Sequence, residues 1–238
     1  MTSNVEPAEE LVEWERFLAR TTPLPPPFAP EDPPRFGSRT DRLLREAYAD
    51  RRRTLYCGCR FDEDKRVQPD ECGFRPGPRW RNRAGRIEWE HIVPASRMLE
   101  GRRCARDPER DGSPRDWCRR VDPEFRAMEG DPHNLAPAIG QLNAERSNYP
   151  YGEVAGEPRR FGACDFEVEN DVAEPPPRVR GDVARVHLYM TATYGLSLRR
   201  EERELLFEWA ESDPPDEDET ALWNRLNEAL AVQARWHR

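Results

Sequence analysis

Apolar residues recur at helical spacing near both ends of the chain, whereas the middle breaks its pattern with Gly, Pro and Arg. Leu11, Trp14 and Leu18 predict a helix over residues 9–19, and Pro23, Pro25, Pro26, Pro27, Pro30, Pro33 and Pro34 then impose extended backbone. Residues 1–35 therefore read as an extension and linker, and 36–238 as the main domain. A second helix is predicted over 38–52, starting at a Ser or Thr cap and carrying Leu43, Leu44 and Ala47. A short strand over 54–57 follows. Residues 57–164 read as short strands and loops with brief helices. Beyond Pro177, Val183, Val186, Tyr189, Met190 and Tyr194 suit one buried face of a helix that Gly195 ends. Leu205, Leu206 and Trp209 mark the next helix, stopped by Pro214 and Pro215. A last helix starts near 217 and carries Leu222, Leu226, Leu230 and Trp236. The class is mixed α+β.

The length of 238 residues allows one large domain or two small ones. No run approaches the roughly 18 apolar residues of a membrane span. Residues 1–20 carry five Glu and no basic stretch followed by an apolar one, so no signal peptide is visible. The net charge of −8 argues against a nucleic-acid partner, since phosphate binding needs positive surface. Local charge says otherwise. Arg75, Arg79, Arg81, Arg83 and Arg86 fall in a segment without an acid, while residues 201–228 hold eleven Asp or Glu. Basic and acidic surfaces are thus predicted on different parts of the molecule; the plainer reading of the arginine run is a solvated loop.

Cys57, Cys59, Cys72, Cys104, Cys118 and Cys164 could form disulfides, bind zinc or stay as thiols. Zinc sites favour pairs spaced C-x₂₋₄-C, and the one close pair here is separated by a single residue. An even count in a loop-rich region favours three bridges and an oxidising compartment. Cys104 with Cys118 is the pairing we expect, as a staple across a Gly-, Asp- and Arg-rich excursion; the others stay open.

Among the histidines, His187 and His237 read as structural or solvated, and His133 as a residue that fixes a turn. His91 is different. The stretch from Ile87 to Val93 reads as a strand that stops at Pro94, with Glu90 directly before His91. Such a pair offers a hard oxygen ligand for a divalent cation beside an imidazole able to deprotonate water. A second segment, from Asp131 to Asn148, reads as a short strand feeding a short helix. There Asn143 lies one turn after Ile139, so its amide faces inward, toward a metal ion, its waters or a loop backbone.

These segments together resemble the bacterial endonuclease I family of exported, non-specific nucleases. The resemblance rests on Leu55-Tyr56-Cys57-Gly58-Cys59, Cys72-Gly73, Glu88-Trp89-Glu90-His91-Ile92-Val93-Pro94-Ala95, Met128-Glu129, His133-Asn134-Leu135, Pro137, Gly140, Asn143 and Arg146-Ser147-Asn148. It continues through Cys164, Ala173-Glu174-Pro175-Pro176 and the segment from Arg178 to Leu198, and so covers residues 40–212. It implies a ββα-metal (His-Me finger) core near 86–150 and a helical C-terminal part over 181–238. In that family's terms, His91 is the general base, Glu90 and Asn143 hold one Mg²⁺ (with Ca²⁺ or Mn²⁺ as substitutes), and Arg115 steadies the scissile phosphate. Arg102 and Arg103 are fallbacks for Arg115. Arg75, Arg79, Arg81, Arg83, Arg86 and Arg146 would contact nucleic acid, whose backbone carries no base information. The family often has two further cysteines near its C-terminus, absent here; Leu222, Leu226 and Leu230 are expected to pack in their place.

The resemblance thus implies an exported, monomeric, Mg²⁺-dependent endonuclease acting on DNA and RNA, with no membrane partner. An inhibitor protein enters only if the enzyme is made in the cytosol. The competing reading is a non-catalytic, disulfide-stabilised module that holds nucleic acid through its arginines.

Overall fold

The computed structural model describes residues 36–156 and 158–236, with side chains through residue 231. The expected 9–19 helix, the proline linker, His237 and the Trp236 side chain lie outside the described residues. Among the described residues three antiparallel two-stranded sheets are embedded among helices, so the α+β class holds.

Helix α1, Ser38–Ala47, buries Thr40, Leu43, Leu44 and Ala47. It ends five residues short of the expected 52, because Ala49 and Arg51 donate to the carbonyls of Glu46 and Tyr48 and so close three-residue turns. The expected strand at 54–57 is instead a reversal. Gly58 sits at φ 65° and donates to Thr54 O at 2.8 Å, while the flanking cysteines are bonded to distant segments. The disulfides are Cys57–Cys164, Cys59–Cys72 and, as expected, Cys104–Cys118. The short strands β1 (Arg60–Phe61) and β2 (Val67–Gln68) pair just beyond this reversal.

The central hairpin pairs β3, Ile87–His91, with β4, Leu135–Ile139, in the register Ile87↔Ile139, Trp89↔Pro137 and His91↔Leu135. All five β4 residues are buried. Pro137 donates nothing to a ladder, but its carbonyl accepts from Leu55 N at 2.8 Å, so the 54–57 reversal covers this edge. Between the strands run α2 (Ala95–Leu99), α3 (Pro114–Val121) and α4 (Pro123–Gly130). Ser113 and Asp122 cap α3 and α4 by accepting from backbone N–H groups, each with Pro at the first helical position. Helix α5, Gly140–Arg146, follows β4 without a loop.

Strands β5 (Glu167–Glu169) and β6 (Val172–Glu174) precede the C-terminal helices α6 (Arg180–Tyr194), α7 (Arg200–Ser212) and α8 (Glu217–Trp236). Gly195, at φ 67°, ends α6 as expected. That helix does not have one buried face. Every residue from Val183 to Met190 is buried, because α7 packs on one side and the segment around His133 on another. Leu226 and Trp223 of α8 are core residues, and Leu222 and Leu230 pack against the core. Among the described residues no helix is long and apolar enough to cross a membrane.

Candidate functional site

Strand alternation sends Glu88 and Glu90 to one side of β3, toward α5, and His91 to the other. The strand ends at His91, and Asn134 holds the chain beyond it. Its side chain accepts from Val93 N at 2.7 Å and donates to Val93 O at 3.0 Å, while its carbonyl accepts from Ile92 N at 3.0 Å. The histidine thereby sits at a strand end pinned by three hydrogen bonds.

His91 Nε2 lies 2.9 Å from the carbonyl oxygen of Glu129, at the end of α4. A carbonyl only accepts, so Nε2 carries the proton and Nδ1 of the neutral ring carries the lone pair. The ring is half-buried, with Phe36 packed at a 4.8 Å centroid distance. Burial pulls its pKa down to about 4, against the lift from Glu129 and helped by Arg115, so the imidazole is neutral at physiological pH.

The carboxylate of Glu129 is buried and bound by two arginines, Arg115 Nε at 2.6 Å and Arg119 Nε at 2.7 Å, both from α3. Burial alone would raise its pKa, but Arg119 and Arg115 hold it below the ordinary value. One carboxylate shared by two guanidiniums leaves net positive charge near His91. Arg115 is thus joined to His91 through a single residue. Arg102 is instead engaged by Asp122 at 2.8 Å and by Glu124.

On the opposite side, Glu90 is 1% exposed. It accepts from Tyr56 Oη at 3.0 Å and pairs with Arg146 Nη1 at 3.2 Å. Tyr151 shares a 2.7 Å hydrogen bond with Tyr56 and stacks its ring 4.5 Å from the Arg146 guanidinium. Desolvation raises the Glu90 pKa to about 7 even against Arg146 and Tyr56. Asn143 is half-buried, and its amide nitrogen donates to Glu88 Oε2 at 3.2 Å, not to Glu90. That bond turns the amide carbonyl away from Glu88. Glu88 also binds Arg83, through Nε at 2.9 Å, and Arg86 at 3.1 Å.

The Glu90 carboxylate and the Asn143 amide oxygen, the latter oriented by Glu88, are hard oxygen donors of the kind a divalent cation takes. Glu90 fits such an ion in particular, because its two neighbours leave its buried charge undercompensated. Among the described residues no three His, Cys, Asp or Glu gather in one place, and all six cysteines are in disulfides, which removes the zinc reading.

The expected surface arginines divide. Arg75, Arg79, Arg81 and Arg86 are exposed, and Arg83 is half-buried on Glu88. Arg146 is a correction. It is 1% exposed and donates to the carbonyls of His91 at 2.8 Å and Ile92 at 2.6 Å, so it supports the strand end and cannot reach a phosphate in solvent. Its i, i+3 spacing from Asn143 on α5 carries both residues toward β3. Arg119, Tyr151 and the partnership of Glu88 with Asn143 were missed. Tyr56 and Glu129 entered only as parts of matched motifs, because no periodicity reveals contacts between distant segments.

Three disulfides and this arrangement define an exported α+β protein whose polar side chains converge on the β3–β4–α5 unit. The family model described as Endonuclease I matches residues 44–235, and the chain belongs to the endonuclease I family. It is 39% identical over 179 residues to an "Extracellular deoxyribonuclease" of Aeromonas hydrophila, covering 73% of this chain and 76% of that one. A "Periplasmic deoxyribonuclease" of the same organism is 40% identical over 169 residues, 68% of each chain. An "Endonuclease-1" of Buchnera aphidicola subsp. Acyrthosiphon pisum is 34% identical over 161 residues, 66% of this chain and 62% of that one.

Proposed function

We propose that this protein is a monomeric, metal-dependent endonuclease that hydrolyses phosphodiester bonds of DNA and RNA with little sequence preference, through a ββα-metal site. The observation that carries the reading is the His91 ring held at Nε2 by the Glu129 carbonyl, beside an arginine pair on the Glu129 carboxylate. Membership of the endonuclease I family supports the same chemistry.

Nδ1 of His91 takes a proton from water as the water oxygen attacks phosphorus; the P–O3′ bond breaks, and the 3′ oxygen takes up a proton from solvent. The Glu129 carbonyl keeps the ring in the tautomer this transfer needs. Arg115, half-exposed, binds the scissile phosphate while Arg119 continues to neutralise Glu129. Glu90 and Asn143 hold Mg²⁺, with Glu88 orienting the Asn143 amide. A bound Mg²⁺ supplies charge neutralisation at the phosphoryl oxygens and the departing 3′ oxygen. The exposed arginines at 75, 79, 81 and 86 follow the phosphate backbone, which explains weak sequence preference.

Plasmid cleavage by oxidised protein tests the proposal. Digestion is expected with Mg²⁺ and not with EDTA, and His91→Ala is expected to lower the rate by about 10²–10⁴-fold. Cleavage in EDTA, or at the parental rate by His91→Ala, would overturn it. Calorimetric Mg²⁺ titration of Glu90→Gln and Glu88→Gln separates ligand from orienting partner, since only the former should abolish binding.

A further inference from the structure

Trp80 is 46% exposed, and among the described residues it and Val121 are the large hydrophobics left at the surface. Its backbone is left-handed, at φ 53° and ψ 23°, a conformation that disfavours a residue with a β-carbon. Such strain persists only where the surroundings impose it. They do so here. Arg83 N donates to Trp80 O at 2.8 Å, and the Arg79 carbonyl accepts from the Gln141 side chain of α5. The loop therefore hangs on the helix that carries Asn143, and its fixed shape directs a bulky indole outward.

Packing does not explain the indole. Trp89, Trp209 and Trp223 are buried, and Trp117 donates its Nε1 to Asp107 at 3.0 Å. Trp80 has the Arg83 guanidinium 6.0 Å from its ring centroid, at the limit of useful cation–π range. Its sequence neighbours Arg79 and Arg81 are exposed cations. Arg83 in turn binds Glu88, the partner of Asn143, so two side chains, Arg83 and Glu88, link the ring to a residue assigned to the cation. An exposed aromatic face flanked by arginines is the pairing by which proteins hold single strands, phosphates on the cations and a base on the ring.

We propose that Trp80 is a stacking platform for an unpaired nucleobase of the substrate strand, next to the bond being cut. The inference rests on the nucleic-acid substrate of the reading above and adds the part of the substrate that is gripped besides phosphate. Because stacking is indifferent to base identity, it provides affinity without sequence preference.

Binding measured in EDTA keeps the test separate from cleavage. The probes are a labelled single-stranded oligonucleotide and an abasic strand of equal length and charge, followed by fluorescence anisotropy. Wild type is expected to bind the base-bearing strand about tenfold more tightly, Trp80→Ala to lose that preference, and Trp80→Phe to keep most of it. Trp80→Gly is expected to lose the preference too while melting no lower than wild type, since glycine adopts this φ without strain. A preference that survives in Trp80→Ala, or wild-type affinities equal for the two strands, overturns the proposal. Plasmid cleavage in Mg²⁺ is run in parallel. Base-dependent binding without cleavage would sink the nuclease reading and leave the stacking site standing; cleavage with base-independent binding would do the reverse.

Discussion

Arg146 shows how one buried charge can serve a whole site. Its guanidinium donates to the carbonyls of His91 and Ile92, pairs with Glu90 and stacks on Tyr151, while its Nε has no partner among the described residues. Removing it leaves Glu90 as a buried carboxylate with Tyr56 as its donor among the described residues. Arg146→Met should therefore cost about 3–5 kcal/mol in urea unfolding, and Arg146→Met/Glu90→Gln should recover part of that loss. Asp131 is a second buried charge, answered by hydrogen bonds. It accepts from His133 N at 2.9 Å, Tyr189 Oη at 2.7 Å and Tyr194 Oη at 2.8 Å. Burial pushes its pKa up, but His133 and Tyr189 hold it below the ordinary 3.8. A depressed carboxyl contributes stability above its unfolded value and loses it as pH falls through the folded one. The urea midpoint should thus drop on acidification below about pH 3.8, and less steeply in Asp131→Asn.

At the scale of elements, the site depends on how closely α5 approaches β3. Gly140 begins the helix directly after β4, and a β-carbon there would lie 2.8 Å from both Arg83 O and Glu88 Oε1. Glycine is what lets the Arg83 turn and the Glu88 carboxylate pack over the helix start. Gly140→Ala should destabilise by about 1–3 kcal/mol in denaturant titration and weaken Mg²⁺ binding, because Glu88 must shift away from Asn143. Strand and helix were both legible in sequence: Pro94 marked a stop after the Glu–His pair, and Asn143 fell on the inward face of a short helix. Which carboxylate meets Asn143 was not legible. Glu88 and Glu90 share a face, and only the stagger of α5 along β3 brings the amide to Glu88.

Across the whole molecule, disulfides take the place of an extensive sheet. Cys57–Cys164 closes 107 residues, whereas Cys59–Cys72 and Cys104–Cys118 close 13 and 14. By chain entropy the long loop contributes about 4–5 kcal/mol and each short one about 3. Reduction by dithiothreitol should lower the melting temperature and, at temperatures between the two midpoints, abolish plasmid cleavage; Cys57→Ser/Cys164→Ser should reproduce more of that loss than removal of either short-loop bridge. Local patterns in the sequence determined helix α1, the C-terminal helices and the strand end at which Glu90 precedes His91, but not the start of α1, where Gly37 and not a Ser or Thr side chain stands at the cap. Those helices and that strand end depend on neighbours within a few residues, which periodicity records. Tertiary structure alone decided that Glu129 holds His91, that Arg146 is buried beneath it, and that Trp80 faces solvent. Each of those contacts joins segments far apart in the chain or reflects a backbone turn, and their energies come from desolvation and hydrogen-bond geometry that exist only once the chain has closed.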